Sequence, residues 1–371
     1  MGSQSMPRAH TQQSGLSLVE LMIAMTLGLI IMIGVGSVFV NSSRSNTELQ
    51  KSAQQIENGR YAIETLAGDL KHAGFFGEFF ATIAPAGTPD PCETNSAINL
   101  YNAMALPVQT YRAPDFTSRP IVAGTTCGAL LGNANLAAGS DVIVVRRANT
   151  AALADGDTAV SGETYLQANS LSAEIQFGNG AAFTYIAKRT AAGTATTILD
   201  KTALRAAPTR KYEVRVYFIA PCSQGSGAGG VCAAGDDTIP TLKRLELKAV
   251  GGVRQMAIVP LVEGIEYLKA EWGIDDQPVA VNTNTGMSGD GVVESYKDAP
   301  TETELTNAVS AKIFVLARNT EPTSNHVDDK TYTLGNVAGV TTVATNDRFK
   351  RHVFGTDVRM MNLGGRKEIP E

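Results

Sequence analysis

The longest hydrophobic run in the chain lies near its N-terminus. From Leu21 to Val40 there is no charged residue, and no other segment carries an uncharged apolar run of this length. In a helix such a run rises about 30 Å, which is the thickness of the hydrocarbon core of a bilayer. The pattern therefore predicts one membrane-spanning helix.

After Asn41 the hydrophobic positions become periodic. They recur at the spacing of a single helical stripe: Leu49, Ala53, Ile56, Ile63, Leu66, Leu70 and Ala73. Gly74 is the expected C-cap. The sequence thus predicts one helix from about Leu16 to Ala73, whose second half packs its stripe mainly on the protein's own sheet and only secondarily on neighbouring subunits.

Beyond Gly74 the alternation has period two, which is typical of strands. The predicted strands are Asp141–Arg146, Ala182–Lys188, Lys211–Phe218, Leu242–Lys248, Ile265–Trp272, Ala308–Ala317 and His352–Met361. Segments Ala81–Thr126 and Asp275–Thr303 are rich in Pro, Gly and Asn and are predicted as long loops. Strands do not alternate with helices, so we expect an α+β fold, a long N-terminal helix packed on an antiparallel β-rich head.

The residues before the apolar run form an unusual signal. The first fifteen residues are polar, Gly15 precedes the hydrophobic helix, and Glu20 stands at its start. In an ordinary secretory signal the cleavage site follows the apolar region. A cut after Gly15 would instead leave the helix on the mature chain, with a new ammonium on Leu16 that complements the Glu20 carboxylate. The alternative is a signal anchor in which Glu20 reaches toward the membrane surface.

The segment Gly15–Glu20 resembles the class III signal of type IV prepilins and pseudopilins. The resemblance implies that a prepilin peptidase cuts after Gly15, that the new N-terminus at Leu16 is methylated, and that Glu20 helps dock the subunit into a filament. Leu16 stands where most members of these families have Phe.

Most of the chain resembles the PilW family of minor pilins. The similar segments are Lys71–Gly77, Ala257–Asp275, Val309–Arg318 and Arg348–Asn362. The resemblance implies a low-abundance structural subunit that helps initiate a type IV pilus and lies at or near its tip. The implied partners are other minor pilins, the major pilin, a large tip adhesin, the inner-membrane assembly platform and the prepilin peptidase.

This interpretation divides the chain into a leader (1–15), a transmembrane half-helix (16–40), an amphipathic half-helix (41–75) and a periplasmic head (76–371). The head is expected in the periplasm before assembly and outside the cell afterwards. A type II secretion pseudopilin of the J type has the same layout and is the nearest alternative.

A signal-anchored periplasmic enzyme is the alternative from another class. Gly225–Gly230 matches GxGxxG, but the helix and the acidic residue that this motif needs do not follow. None of His10, His72, His326 and His352 has a nucleophile motif beside it. We therefore expect neither an enzyme nor a cofactor.

The four cysteines are Cys92, Cys127, Cys222 and Cys232. Beyond a membrane segment, an even count without metal-ligand spacing predicts disulfides in an oxidising compartment. Four cysteines allow three pairings; Cys92 with Cys127 and Cys222 with Cys232 close the shortest loops and are favoured.

The net charge of −5 gives no general attraction to nucleic acid, so a nucleic-acid partner is not expected. Basic residues near the C-terminus are expected on a solvated face: Arg348, Lys350, Arg351, Arg359, Arg366 and Lys367. Asp275, Asp276 and Asp290, with Asn282 and Asn284, offer oxygen ligands suited to calcium, but their spacing fits no EF-hand. A solvated loop is favoured there, with no metal.

Overall fold

The computed structural model describes residues 15, 17–80, 83, 87–122, 124–154, 157–181, 187–189, 195–198, 206–276, 289–337, 341–343 and 346–367. The chain divides into two units, residues 1–51 and 52–371.

Four α-helices occur within the described residues: α1 Leu18–Lys71, α2 Ala97–Asn102, α3 Glu302–Leu305 and α4 Met361–Lys367. The strands are β1 Val108–Tyr111, β2 Val142–Ala152, β3 Thr164–Ala168, β4 Ala173–Phe177, β5 Ala187–Arg189, β6 Ala195–Thr197, β7 Thr209–Ala220, β8 Thr241–Val250, β9 Val253–Glu263, β10 Ile265–Ile274, β11 Ser295–Lys297, β12 Ala308–Arg318, β13 Thr331–Thr333, β14 Thr341–Val343 and β15 Arg351–Arg359.

Two antiparallel sheets form the body of the second unit. A seven-stranded sheet has the order β1-β2-β7-β3-β4, with β8 also paired to β7 and β9 paired to β8. A four-stranded sheet has the order β11-β10-β12-β15. With the long N-terminal helix, these sheets confirm the α+β fold.

Two hydrophobic clusters lie on opposite sides of the seven-stranded sheet. On β2, Ile143 and Val145 join the cluster that includes Leu66 and Leu70 of α1 and the inner face of the four-stranded sheet. Val144 of the same strand faces the other cluster, which contains all four cysteines. Because alternate residues of a strand point to opposite faces, this sheet is buried on both sides.

The second half of α1 packs with a different stripe from the predicted one. Its buried positions are Gln55, Gly59, Ala62, Leu66, Asp69 and Leu70. Leu49, Ala53 and Ile56 are exposed, so the prediction is wrong for the N-terminal part of the stripe. Hydrophobicity alone missed this face because Gln55 and Asp69 are polar and Gly59 is small.

The predicted loops contain more structure than expected. Ala81–Thr126 includes α2 and β1, and Asp275–Thr303 includes β11. The last predicted strand ends at Arg359, and Met361 begins α4 instead. Most of the predicted strand Ala182–Lys188 lies outside the described residues. Elements as short as these contain too few residues for a hydrophobic period to be recognised.

Candidate assembly site

Helix α1 begins with a reciprocal cap between Ser17 and Glu20. The Ser17 backbone N–H donates to Glu20 Oε2 at 3.1 Å, and the Ser17 Oγ accepts from the Val19 N–H at 3.3 Å. This is close to a capping box, in which an N-cap Ser and an acidic residue three positions later satisfy the free N–H groups of the first turn. This capping role of Glu20 was not among the predictions, although the S-x-x-E spacing indicates it.

The apolar run that follows presents hydrophobic side chains around the helix. Leu21, Ile30, Met32 and Phe39 are among the exposed ones. The hydroxyls within the run bond to the helix backbone: Thr26 Oγ1 donates to the Met22 carbonyl and Ser37 Oγ to the Gly34 carbonyl at 2.8 Å. By length and composition alone, α1 is suited to cross a membrane.

The predicted processing site lies at the edge of the described residues. Gly15 is exposed, and a Cβ added to it would meet no atom within 4 Å. Leu16 and residues 1–14 lie outside the described residues, as does His10. Cleavage after Gly15 and methylation of Leu16 therefore stay predictions.

Near its other end, α1 is held to the seven-stranded sheet by a buried carboxylate. Asp69 accepts hydrogen bonds from Arg215 Nη1 at 2.6 and 2.8 Å and from the Tyr217 hydroxyl. Arg147 Nη2 lies 3.5 Å from the same carboxylate. Burial raises the pKa of Asp69, but the hydrogen bond and charge of Arg215 outweigh it, so this pKa lies below its usual value.

The four-stranded sheet holds the helix by two further contacts. Gln55 Nε2 donates to the carbonyls of Ala317 at 2.8 Å and Lys350 at 3.0 Å. Gly59 lies against the Phe354 ring, where an added Cβ would fall 2.2 Å from Phe354 Cε2. Together with Asp69, these contacts fix which face of the helix is buried.

Both disulfides favoured by loop length are present. Cys92 is bonded to Cys127 and Cys222 to Cys232, with Cα–Cα distances of 5.0 and 5.8 Å. The second bond closes the glycine-rich loop that matches GxGxxG. A Cβ on Gly225 would lie 2.1 Å from the Gly230 carbonyl oxygen, so glycine is required by the tightness of the loop.

The acidic group considered for calcium is partly buried. Asp275 is 1% exposed and accepts from the Gly291 N–H at 2.8 Å, while Lys367 Nζ lies 3.6 Å from it. The expectation of a solvated loop is therefore wrong for Asp275. Carboxylate oxygens of Asp275, Asp290 and Glu294 lie within 4.8 Å of one another. Asn282 and Asn284 lie outside the described residues.

The basic residues near the C-terminus are not all on a solvated face either. Arg351 is bound by Glu266, Asp328 and Asp347, and its side chain is 3% exposed. Lys367 is buried, and Arg366 donates to the carbonyls of Gly74 and Phe79. These cationic side chains therefore form ion pairs and hydrogen bonds inside the fold.

Two family models match the chain. Residues 216–362 match "Type IV Pilus-assembly protein W", and residues 10–36 match "Prokaryotic N-terminal methylation motif". The chain is a type IV pilin-like protein with a PilW domain. The matched families consist of structural pilin proteins rather than enzymes, and the prepilin motif with its apolar helix points to membrane anchoring and pilus association.

Among solved structures, the chain is similar to the type IV-like pilin TTHA1219 from Thermus thermophilus. The two are 11% identical, the match covers 83% of this chain and 96% of that one, and the TM-score is 0.31. At this TM-score the likeness adds nothing to the fold described above. No curated protein matches the chain.

The PilW match begins inside β7 and ends in α4, so it covers the four-stranded sheet but neither Arg147 nor Arg215. It includes Tyr217 but ends before the Arg366 contacts. The methylation-motif match covers Gly15, Leu16 and Glu20. Pilin matches therefore cover the N-terminal signal and the four-stranded sheet that contacts Gln55 and Gly59.

Proposed function

We propose that this pilin-like protein is a minor pilin that helps initiate type IV pilus assembly and lies at or near the pilus tip. Its partners are then other minor pilins, the major pilin and a large tip adhesin, and it is a structural subunit without catalytic activity. The observation that carries the proposal is the Glu20 carboxylate at the start of an uncharged, fully exposed helical run.

In this proposal the leader 1–15 is removed by a prepilin peptidase and Leu16 is methylated. Residues 16–40 hold the chain in the inner membrane, and residues 41–75 join that anchor to the periplasmic head 76–371. The assembly platform then extracts the subunit into the filament. Intact-mass analysis of membrane-extracted protein should show loss of residues 1–15; a mature chain that still starts at Met1, in cells with active peptidase, would contradict the proposal.

Glu20 has two possible uses, and they differ in what they require. A cap needs only an acceptor, which Gln supplies as well as Glu. Docking onto the ammonium of a neighbouring subunit needs the negative charge, because opposite charges attract strongly where water is excluded. A carboxylate is expensive in an apolar setting, and the run Leu21–Val40 anchors the chain without it.

Three variants separate the two uses: Glu20→Gln keeps an acceptor and loses the charge, Glu20→Ala loses both, and Ser17→Ala weakens the cap while keeping the charge. Each is expressed in a strain lacking the native copy, and the intact mass confirms cleavage after Gly15. Surface pili are then counted and the variant is quantified in sheared filaments.

We expect both Glu20 variants to be cleaved but poorly incorporated, and Ser17→Ala to be incorporated normally. If Glu20→Gln is incorporated at the native level while Glu20→Ala is not, the residue acts as a cap. If both Glu20 variants are incorporated normally, Glu20 is not an assembly residue and the proposal loses its main support.

The tip position and the choice of pilus over secretion need a separate test. Gold-labelled antibody against the head should decorate intact pili at one end only. Labelling along the shaft would contradict the tip position. Loss of protein secretion with normal piliation, on deletion of the gene, would favour the pseudopilin alternative instead.

A further inference from the structure

The two disulfides lie in opposite electrostatic surroundings. Lys243 of β8 is fully buried, and its Nζ lies 3.6 Å from Cys222 Sγ and 3.8 Å from Cys232 Sγ. Among the described residues, no carboxylate lies within 4 Å of this amine. Its hydrogen-bonding contacts among those residues are the two sulfurs.

The other disulfide has a carboxylate beside it instead. An oxygen of Asp90 and the sulfurs of Cys92 and Cys127 all lie within 4.8 Å of one another. Asp90 is held in place by the Cys92 N–H at 2.8 Å and the Thr126 N–H at 2.7 Å. Within the described part of the chain, neither of these two sulfurs has a lysine or arginine nitrogen within hydrogen-bonding distance.

Burial does not distinguish the two bonds. Cys222 and Cys232 are 2% and 7% exposed, and Cys92 and Cys127 are both 3% exposed. The principal difference is thus the sign of the neighbouring charge. That charge matters for disulfide exchange, because the sulfur that leaves becomes a thiolate, and a thiolate is favoured beside a cation and disfavoured beside an anion.

We propose that Lys243 makes Cys222–Cys232 the exchange-prone disulfide of this protein, a site that a dithiol opens before Cys92–Cys127. A thiolate of the dithiol attacks Cys232, the more exposed residue of the pair. A new S–S bond forms there, the Cys222–Cys232 bond breaks, and its electron pair stays on Cys222 as a thiolate beside Lys243 Nζ.

The second thiol of the reagent then completes the reaction. It attacks the mixed disulfide and leaves as an oxidised, cyclic disulfide, while the Cys232 thiolate takes a proton from solvent. The dithiol loses two electrons and the protein disulfide gains two. Burial lowers the pKa of Lys243 below its usual value, and the loop carboxylates Asp237 and Asp236 oppose that shift only in part.

Opening this bond would loosen one defined loop. The Cys232 N–H donates to Asn135 Oδ1 at 3.2 Å, and Ser223 Oγ donates to Asp237 Oδ2 at 2.9 Å. These contacts tie the ends of the 222–232 segment to the neighbouring loops that carry Asn135 and Asp237. Reduction of Cys222–Cys232 would therefore change the order of a single glycine-rich loop.

The test uses the full-length, oxidised protein in detergent with limiting dithiothreitol. Samples are quenched with acid, alkylated and mapped by mass spectrometry, so that each disulfide gives its own rate. We expect Cys222–Cys232 to be reduced roughly tenfold faster than Cys92–Cys127, with the first mixed disulfide on Cys232. Equal rates, or faster reduction of Cys92–Cys127, would overturn the proposal.

Variants then assign the effect to the charge. Lys243→Met should lower the Cys222–Cys232 rate about tenfold and leave the Cys92–Cys127 rate unchanged, while Lys243→Arg should restore most of it. Lys248→Met, on the same strand but half-buried and paired with Glu246, is the matched control and should change neither rate. If Lys243→Met unfolds, both bonds will speed up together, and the wild-type rates with Lys243→Arg still decide. A native rate in a folded Lys243→Met variant would show that the lysine has no part in exchange.

Discussion

Asp69 shows how a single polar residue decides the position of a helix. Its side chain is 8% exposed, and it faces Arg215, Arg147 and Tyr217 on the sheet. A buried carboxylate is tolerated only when partners replace its hydration. Here those partners come from β2 and β7. Asp69 is therefore buried at no net cost only when the second half of α1 lies against the seven-stranded sheet.

Asp69→Asn should therefore destabilise the protein. The change keeps the shape and removes the charge, so Arg215 and Arg147 lose one of their two shared counter-ions and keep only Glu213. We expect a loss of about 3 kcal/mol in the free energy of unfolding, as for other broken buried ion pairs. Urea unfolding of the full-length protein in detergent measures it, with the exposed Glu64→Gln on the same helix as control. A loss below about 0.5 kcal/mol, the range of ordinary surface changes, would contradict this role.

The stability difference between the wild type and Asp69→Asn should decrease as the pH is lowered. The pKa of Asp69 is lower in the folded protein than in the unfolded chain, where it is about 3.9. A lowered pKa stabilises the fold fully above the unfolded value, and the contribution is lost as the pH falls through the folded value. The gap between wild type and Asp69→Asn should be constant from neutral pH to about pH 5 and shrink below about pH 4. A gap that widens on acidification would contradict the assignment.

Residues with a covalent or motif-based role were predictable from the sequence. Gly15 and Glu20 fit a prepilin signal, and the cysteine pairs follow from loop length. Asp69 and Gln55 were not, because each looks like an ordinary solvent-facing position of an amphipathic helix. Lys243 did carry a signal: with period two it shares a strand face with Leu245 and Leu247, both buried.

At the scale of elements, replacing either of two glycines in α1 by alanine is expected to change the stability in opposite directions. Gly59 lies against the Phe354 ring, 2.2 Å from where its Cβ would stand, whereas a Cβ on Gly68 would meet nothing within 4 Å. Alanine improves helix propensity by about 1 kcal/mol at either site. Only at Gly59 does it also force the sheet away from the helix.

Gly68→Ala should raise the free energy of unfolding by about 0.5–1 kcal/mol. Gly59→Ala should lower it by about 1 kcal/mol, because overpacking outweighs the gain in propensity. Urea unfolding measures both. The Phe354→Leu background should remove most of the Gly59→Ala penalty; a penalty of the same size there would show that the ring contact is not its cause.

The two disulfides should stabilise the fold by different amounts, because they close loops of different length. They close segments with sequence separations of 35 and 10 residues. On the chain-entropy estimate, replacing both cysteines of the shorter loop by Ser should cost about 2–3 kcal/mol, and the longer loop somewhat more, about 4 kcal/mol. Urea unfolding of each double variant checks the order. Recovery of Cys222 and Cys232 as free thiols from cells would contradict the disulfide assignment.

Long, strongly periodic elements were predicted well, and short ones were not. The helix predicted from Leu16 to Ala73 spans Leu18–Lys71, and the strand predicted at Lys211–Phe218 is the core of β7. β9 was missed because it is an edge strand whose burial does not alternate cleanly. Leu100 of α2 packs in the cluster that contains Cys92 and Cys127, and β1 pairs with β2; local sequence does not encode these tertiary contacts.

For the whole molecule, the two parts of α1 differ in whether they contribute to the hydrophobic clusters. Ala62, Leu66, Leu70 and Ala73 are buried in the cluster shared by both large sheets. The exposed run before Val40 adds nothing to either cluster. The membrane segment should therefore be dispensable for folding, and the second half of the helix should not.

Two truncated proteins test this division. Residues 41–371 keep the buried stripe and should be soluble, with both disulfides formed and a cooperative thermal transition by circular dichroism. Residues 76–371 lose the stripe and Asp69, so they expose apolar sheet surface and remove one of the two counter-ions of Arg215. We expect them to aggregate. Size-exclusion chromatography after periplasmic expression compares the two. If 41–371 also aggregates with its disulfides formed, the head needs a partner subunit to fold; if 76–371 is monomeric and melts cooperatively at the same temperature, the helix is not part of the core.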